Sequence, residues 1–273
     1  MPEISPERLR STFDEAAELY ERARPGYPAE LFDDLAASAG LRPGARVLEI
    51  GAGTGKATLP LAERNYQVTA IELGPNLASV ARRNLARFPK IAVIVAAFED
   101  WPLPPEPFDA VVSATAFHWL DPSVRVTKAA DALRPGGVLA TIATHHIDGG
   151  DAQFFVHVQD CYRRWFQEPP PNPSPKRGGI PSRLPSAADI PRDVGELEQS
   201  GRFEPPTFRR YEWEQPYSAE EYIDLLSTYS DHRALEEAAR RHLLDCISQL
   251  IAERYGGRIR KRYLNELRIA RVS

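Results

Sequence analysis

Between Arg46 and Thr144, five short apolar runs alternate with amphipathic stretches, and this rhythm constrains the fold of the 273-residue chain more than any other feature. The runs are "RVLEI", "QVTAIE", "IAVIVA", "FDAVVSA" and "GGVLATIAT". Strands alternating with helices build a parallel sheet, and strands apolar at nearly every position are covered on both faces. The stretches between them predict helices over Ala57–Arg64, Asn76–Arg87 and Pro122–Leu133. The last has Asp121 as N-cap, Pro122 at the first helical position and "RPGG" as its stop. Upstream, "SPERLRSTFDEAAELYERARPGYPAELFDDLAASAG" divides into two helices at Pro25-Gly26 and Pro28. Downstream, Asp151–Gln167 reads as helix, Thr207–Trp213 as strand, and Ala219–Ser227 and His232–Tyr255 as helices, before a turn at "YGGR" and a last strand over Arg258–Val272.

The expected architecture is therefore α/β: a doubly wound, seven-stranded, mostly parallel sheet with an antiparallel last strand, an N-terminal helical cover and an inserted lid. A single domain is expected over 1–273, with 1–40 as the cover and 41–147 as the ligand-binding core. Residues 148–205 would form a Pro-rich lid and acceptor-site insertion, and 206–273 would complete the sheet. The lid expectation rests on Pro169–Pro191, which holds eight of the 25 prolines, too many for helix or central strand. Long loops inside a compact unit are usually lids or binding loops.

The formal net charge of −4 and the lack of a basic block argue against a nucleic-acid partner. Cys161 and Cys246 lack the spacing of a zinc site or a disulfide framework and read as ordinary thiols of a reducing compartment. "MPEISPERLR" has no apolar signal stretch, and the longest apolar run, "IAVIVAAF", is too short to span a bilayer. A soluble, cytoplasmic protein acting on a small molecule, without a membrane or metal partner, is expected. Oligomeric state is not legible.

The stretch "VLEIGAGTGKAT" identifies the ligand by elimination. A P-loop with Gly55-Lys56 as its Gly-Lys pair would need glycine at position 50 and Ser or Thr at 57, where Ile50 and Ala57 stand. A dinucleotide fingerprint would need a third glycine at the position of Lys56. What remains is Gly51-x-Gly53-x-Gly55 behind Glu49, an acid inside the first strand that would sit beside a cationic group. Glu72 closes the next strand, where a carboxylate accepts hydrogen bonds from ribose hydroxyls. A nucleoside with a cationic tail and no phosphate fits both acids, and S-adenosylmethionine answers that description.

The chain resembles the class I S-adenosylmethionine-dependent methyltransferases through "VLEIGAGTGKATLPLAERNYQVTAIELGPNL", "FEDWPLPPEPFDAVVSATAFHWLDP" and "ALRPGGVLA". "FDEAAELYERARPGYP" and "HWLDP" are similar to its small-molecule branch, which includes trans-aconitate methyltransferases. The resemblance implies a Rossmann-like fold and roles for individual residues. Glu49, Gly51, Ala52 and Gly53 would line the cofactor's amino-acid tail, with Gly55 shaping the turn. Glu72 would hold the ribose, Leu73 pack on the adenine, and Phe98 and Glu99 flank its edge through the Phe98 backbone. Ala97 stands where relatives often carry Asp. Ser113 would face the reactive end. Tyr20 and Arg24 would either reach the cofactor's carboxylate or serve as helix packing and a solvated charge.

Methyl transfer to a hydroxyl needs a proton acceptor, and His118, His145 and His146 follow strands at the carboxyl ends where ligands bind in such sheets. For each the alternative is a structural hydrogen bond. Two further readings remain open: binding of S-adenosylmethionine without methyl transfer, as a sensor or in another reaction, and methylation of protein or nucleic acid.

Overall fold

The computed structural model of the chain describes residues 13–165 and 184–273. Most of the proline-dense segment expected to form the lid therefore lies outside the described residues. The seven strands are β1 (Arg46–Ile50), β2 (Gln67–Glu72), β3 (Ile91–Val95), β4 (Phe108–Ala114), β5 (Leu133–Ile147), β6 (Thr207–Ser218) and β7 (Arg258–Arg271). They form one sheet in the order β3-β2-β1-β4-β5-β7-β6, with the last strand antiparallel. The pairs β1–β2, β2–β3, β1–β4 and β4–β5 are parallel. The strand order reverses between β1 and β4, which makes the carboxyl ends of those two strands the natural ligand crevice.

The chain divides into two compact units. One comprises Pro25–Thr144, Pro191–Tyr211 and Asn265–Ser273, the other Met1–Arg24, His145–Ile190 and Glu212–Leu264. Strands β5, β6 and β7 contribute residues to both.

In the first unit, α2 (Ala29–Ala39), α3 (Thr58–Glu63), α4 (Pro75–Leu85), α5 (Arg125–Asp131) and α8 (Gly195–Gln199) accompany the sheet. Successive strand residues feed two separate apolar cores, as a doubly covered sheet requires. Val47, Ala110 and Val112 pack with Leu31, Phe32 and Leu35 of α2 and Leu61 of α3. Leu48, Ile50 and Val111 pack with Val126 and Ala129 of α5 and with Phe98 and Phe108. Each such buried Leu, Ile or Phe stabilises by about 1.5–3 kcal/mol.

Among the boundaries that differ from the sequence expectation, two have a visible cause. Helix α5 begins at Arg125 rather than Pro122, because Asp121 Oδ1 accepts from both the Ser123 amide (2.8 Å) and hydroxyl (2.7 Å) and holds 122–124 in a turn. Leu133 pairs with Phe108 and so starts β5, with an irregularity before Ala110 restores register with Val138; "RPGG" lies inside the strand element.

In the second unit, α1 (Ala17–Ala23), α6 (Ala152–His157), α7 (Gln159–Trp165), α9 (Ala219–Leu226), α10 (Ser230–Arg233) and α11 (Glu237–Arg254) enclose a core rich in Phe, Tyr and Ile. The helix expected over His232–Tyr255 is two, because Glu236 Oε2 accepts from the Ala238 and Ala239 amides and opens a new helix. The reading of the cysteines is also corrected. Cys161 on α7 and Cys246 on α11 form a disulfide, since these helices pack side by side although 85 residues separate the two positions. Among the described residues no helix is long and apolar enough to cross a membrane.

Candidate active site

Beyond β1 the backbone reverses at Gly51, whose φ of +71° is left-handed. The Gly51 and Ala52 amides both donate to the Ile71 carbonyl, at 2.8 and 3.1 Å, and bind the turn to β2. A Cβ at Gly51 would lie 2.4 Å from the Ala116 Cβ. Gly51→Ala is thus expected to cost about 2–5 kcal/mol, combining about 1–2 for the left-handed backbone with about 1–3 for the overlap. Urea unfolding checks this. In an Ala116→Gly background only the overlap should be relieved; a cost unchanged by that background would contradict the packing argument.

Glu72 ties the loop from the side. Its Oε2 accepts from the Gly53 amide at 2.7 Å and its Oε1 from the Gly74 amide at 2.8 Å. Gly53 and Gly55 are also left-handed, with φ of +59° and +90°, and a side chain at 55 would press on Leu85 of α4. The Asn84 side chain donates to the Thr54 carbonyl at 3.0 Å.

Glu49 is 1% exposed. Burial pushes its carboxyl up to about 8; the nearby Thr58 hydroxyl lowers it somewhat, and the Glu72 charge raises it further. Glu49 Oε2, Thr54 Oγ1 and Thr58 Oγ1 are all buried without a hydrogen-bond partner. Buried polar atoms are nearly always satisfied, so three orphans within ten residues of one loop are a cradle for a polar, cation-bearing ligand. A sulfonium nucleoside with an ammonium group on its tail fits this donor and acceptor set.

The expected adenine side is less uniform. Leu73 is 45% exposed, an apolar side chain placed just past the ribose acid. The Phe98 ring is buried in the core under Lys128, so only its backbone is available to a ligand. Glu99 Oε1 accepts from the Asp121 amide at 3.0 Å, and Lys128 Nζ donates to the Glu99 carbonyl at 2.8 Å. Ser113 is fully buried, and its hydroxyl donates to the Ile50 carbonyl at 2.9 Å. Past β4, Thr115 holds a left-handed φ of +53°, a strained state for a β-branched residue, with its hydroxyl 3.3 Å from that of Tyr27. Sequence reasoning singled out neither residue. Backbone strain at a β-branched position leaves no trace in the sequence.

The three histidines fall into different surroundings: His118 follows β4 as expected, whereas His145 and His146 lie inside β5 and not after it. His118 is exposed, although neighbouring atoms and then the charge of Arg125 hold its pKa below the ordinary value. In the second unit, burial, followed by Lys261, Arg24 and His145, lowers His146 well below the ordinary value and keeps it neutral. Its Nε2 lies 3.3 Å from the Tyr229 hydroxyl, which accepts from Lys261 Nζ at 3.2 Å. Arg24 belongs to the same cluster. It donates to the Thr228 hydroxyl (2.7 Å) and carbonyl (3.1 Å) and lies over the Tyr20 and Tyr229 rings. The fold thus brings Tyr20, Arg24 and His146 together and adds Lys261 and Tyr229, which sequence reasoning missed.

The doubly wound sheet thus carries the glycine turn and both acids, Glu49 and Glu72, on one stretch of the chain. Residues 48–141 match the family described as "Methyltransferase domain". Over 131 residues the chain is 40% identical to an uncharacterized methyltransferase of Mycobacterium tuberculosis, covering 48% of this chain and 51% of that protein. It is 32% identical over 165 residues to an uncharacterized methyltransferase of Geobacillus kaustophilus, covering 57% of this chain and 75% of that protein. A solved structure from Anaeromyxobacter dehalogenans, described as a type II methyltransferase without an established activity, shares the fold, with a TM-score of 0.60 at 24% identity over 91% of this chain and 97% of that one. The chain belongs to the class I S-adenosylmethionine-dependent methyltransferases. It spans about half the length of the mycobacterial relatives it matches.

Proposed function

We infer that the protein transfers the methyl group of S-adenosylmethionine to an oxygen of a small-molecule acceptor. The observation that carries the cofactor part of this reading is the buried Glu49 carboxyl, whose Oε2 has no partner, near the unpartnered hydroxyls of Thr54 and Thr58. When bound, S-adenosylmethionine supplies a methyl group on cationic sulfur, displaced in line as that charge is neutralised. Glu49, Gly51, Ala52 and Gly53 hold the amino-acid tail, with the Glu49 carboxylate set against its ammonium. Glu72 keeps lone pairs for the ribose while anchoring the Gly53 and Gly74 amides, Leu73 covers the adenine, and the backbone at Phe98 and Glu99 flanks its edge.

To take the proton of a hydroxyl acceptor, His146, which burial keeps neutral, must give up the contact of its Nε2 with the Tyr229 hydroxyl 3.3 Å away. His118 and His145 are the other candidates. His146→Ala is expected to lower kcat on a hydroxyl acceptor by about 10²–10⁴, the usual contribution of a general base, with KM for S-adenosylmethionine unchanged. Full turnover by the variant would remove His146 from the chemistry.

The reading itself is tested by incubating purified protein with S-adenosylmethionine and panels of hydroxyl, carboxyl, amine and thiol acceptors, and following S-adenosylhomocysteine. Product with an oxygen acceptor is expected. Tight cofactor binding with no turnover on any panel would favour a binding protein that transfers nothing.

A further inference from the structure

The second unit holds one buried cation, Lys261, and one half-buried cation, Arg24, and among the described residues neither is bonded to a carboxylate. Lys261 is 2% exposed, in the interior-facing phase of β7 between Ile259 and Tyr263. Its Nζ lies 5.3–5.7 Å from the centroids of the Tyr263, Tyr229 and Tyr222 rings, and its hydrogen bond goes to a neutral phenol, Tyr229. The Arg24 guanidinium lies 4.3 Å from the Tyr229 centroid, and its hydrogen bonds also go to neutral groups, on Thr228. Among the described residues neither cation has an ion-pair partner. Asp231 bears on Lys261 only at longer range, and its carboxylate is engaged by the His232 amide (2.8 Å) and Nδ1 (2.9 Å).

Buried charges are normally paired, because desolvation is costly and is offset only by a counter-charge. Aromatic rings and one phenol offset part of that cost for Lys261, and the repulsion between the two cations adds to it. An arrangement of this kind is completed by an anion. We propose that Arg24 and Lys261, walled by Tyr222, Tyr229 and Tyr263, bind the carboxylate of a planar, largely apolar methyl acceptor. This rests on the methyl-transfer reading for the word acceptor, but the anion site stands on its own geometry. Guanidinium and ammonium match a carboxylate, and the phenol rings offer flat apolar walls to its body.

Burial and then the Arg24 charge lower Lys261 to about 7, with Asp231 acting in the opposite direction. The other groups facing it are the high-pKa phenols of Tyr222, Tyr229 and Tyr263, and neutral His146 stands beyond Tyr229. A bound carboxylate restores the ammonium, so binding takes up protons when measured above pH 7.

The shared chemistry has two sources, since the cofactor's own tail also ends in a carboxylate. Calorimetric titration of the full chain with benzoate, and with benzamide as its neutral isostere, separates them when repeated at saturating S-adenosylhomocysteine. Benzoate is expected to bind at least tenfold more tightly than benzamide, with or without S-adenosylhomocysteine, and Lys261→Met to lose that preference. Lys261→Met should also melt at a higher temperature than the wild type in the absence of ligand, because methionine removes a buried charge that no carboxylate offsets. Arg24→Leu should weaken benzoate at least tenfold. Equal binding of benzoate and benzamide, no binding of benzoate, or unchanged benzoate affinity in Lys261→Met would overturn the proposal. Displacement of benzoate by S-adenosylhomocysteine would overturn it in favour of the cofactor's carboxylate. Benzoate binding in a protein that fails to bind S-adenosylhomocysteine would uphold the anion site and sink the methyl-transfer reading instead.

Discussion

Glu72→Ala is expected to lower affinity for S-adenosylhomocysteine by about two to four orders of magnitude. A ribose offers two hydroxyls to this carboxylate, and each charge-assisted hydrogen bond contributes about 1.5–3 kcal/mol; at about 1.4 kcal/mol per decade, two of them give that range. The loss has a second component that acts before any ligand arrives. Glu72 Oε2 and Oε1 hold the Gly53 and Gly74 amides, so alanine also releases both sides of the loop that shapes the site. Glu72→Gln separates the two components. Its oxygen retains one amide, while its NH₂ meets the other donor face to face, so the loop is half anchored and the charge is gone. Affinity should fall in the order wild type, Gln, Ala, as read by calorimetry, and thermal stability should fall in the same order. Wild-type affinity in Glu72→Ala would remove the ribose role and leave Glu72 as a loop anchor alone.

The parts of this site that were legible in the sequence are those written locally. Glu49, the three glycines and Glu72 lie on consecutive elements whose strand and turn character is strong, and their spacing departs from both the P-loop and the dinucleotide fingerprint. The core strands were legible because covered strands are apolar at nearly every position, as in "RVLEI". Helix ends were less so: Asp121 caps a turn and not the helix that follows it, and both use the same residue types. The Cys161–Cys246 bond was illegible because it records the adjacency of α7 and α11, which no spacing rule encodes. Lys261 was the recoverable miss. In "RIRKRYL" the residues Ile259, Lys261 and Tyr263 share one face of a strand, and two of the three are apolar, which marks the lysine as facing inward.

Glu49→Gln is expected to change both stability and cofactor binding in ways that only a buried, protonated carboxyl explains. In the unfolded chain this acid titrates at 4.5, and in the fold at about 8. Below 4.5 it is neutral in both states. Between 4.5 and 8 only the unfolded state releases the proton, so the ligand-free protein loses stability as pH rises across that window. At about 1.4 kcal/mol per unit the accumulated loss is on the order of several kcal/mol. Glutamine never ionises, so the variant should unfold at higher urea than the wild type at pH 8 and similarly at pH 4.5. Cofactor binding has the opposite dependence. The ammonium and sulfonium of S-adenosylmethionine favour the carboxylate, so binding expels a proton, and wild-type affinity should rise up to about tenfold per pH unit between 5.5 and 7.5. Above that range the ligand's own amine, with an α-amino pKa near 7.7–8.0, begins to lose its charge and flattens the curve. Glu49→Gln should bind weakly with no slope across the same range. A wild-type affinity that did not vary with pH would mean that Glu49 is already ionised in the free protein. The unpartnered Oε2 would then have to find its counter-charge elsewhere, and the central argument for a cationic ligand at this loop would lose its footing.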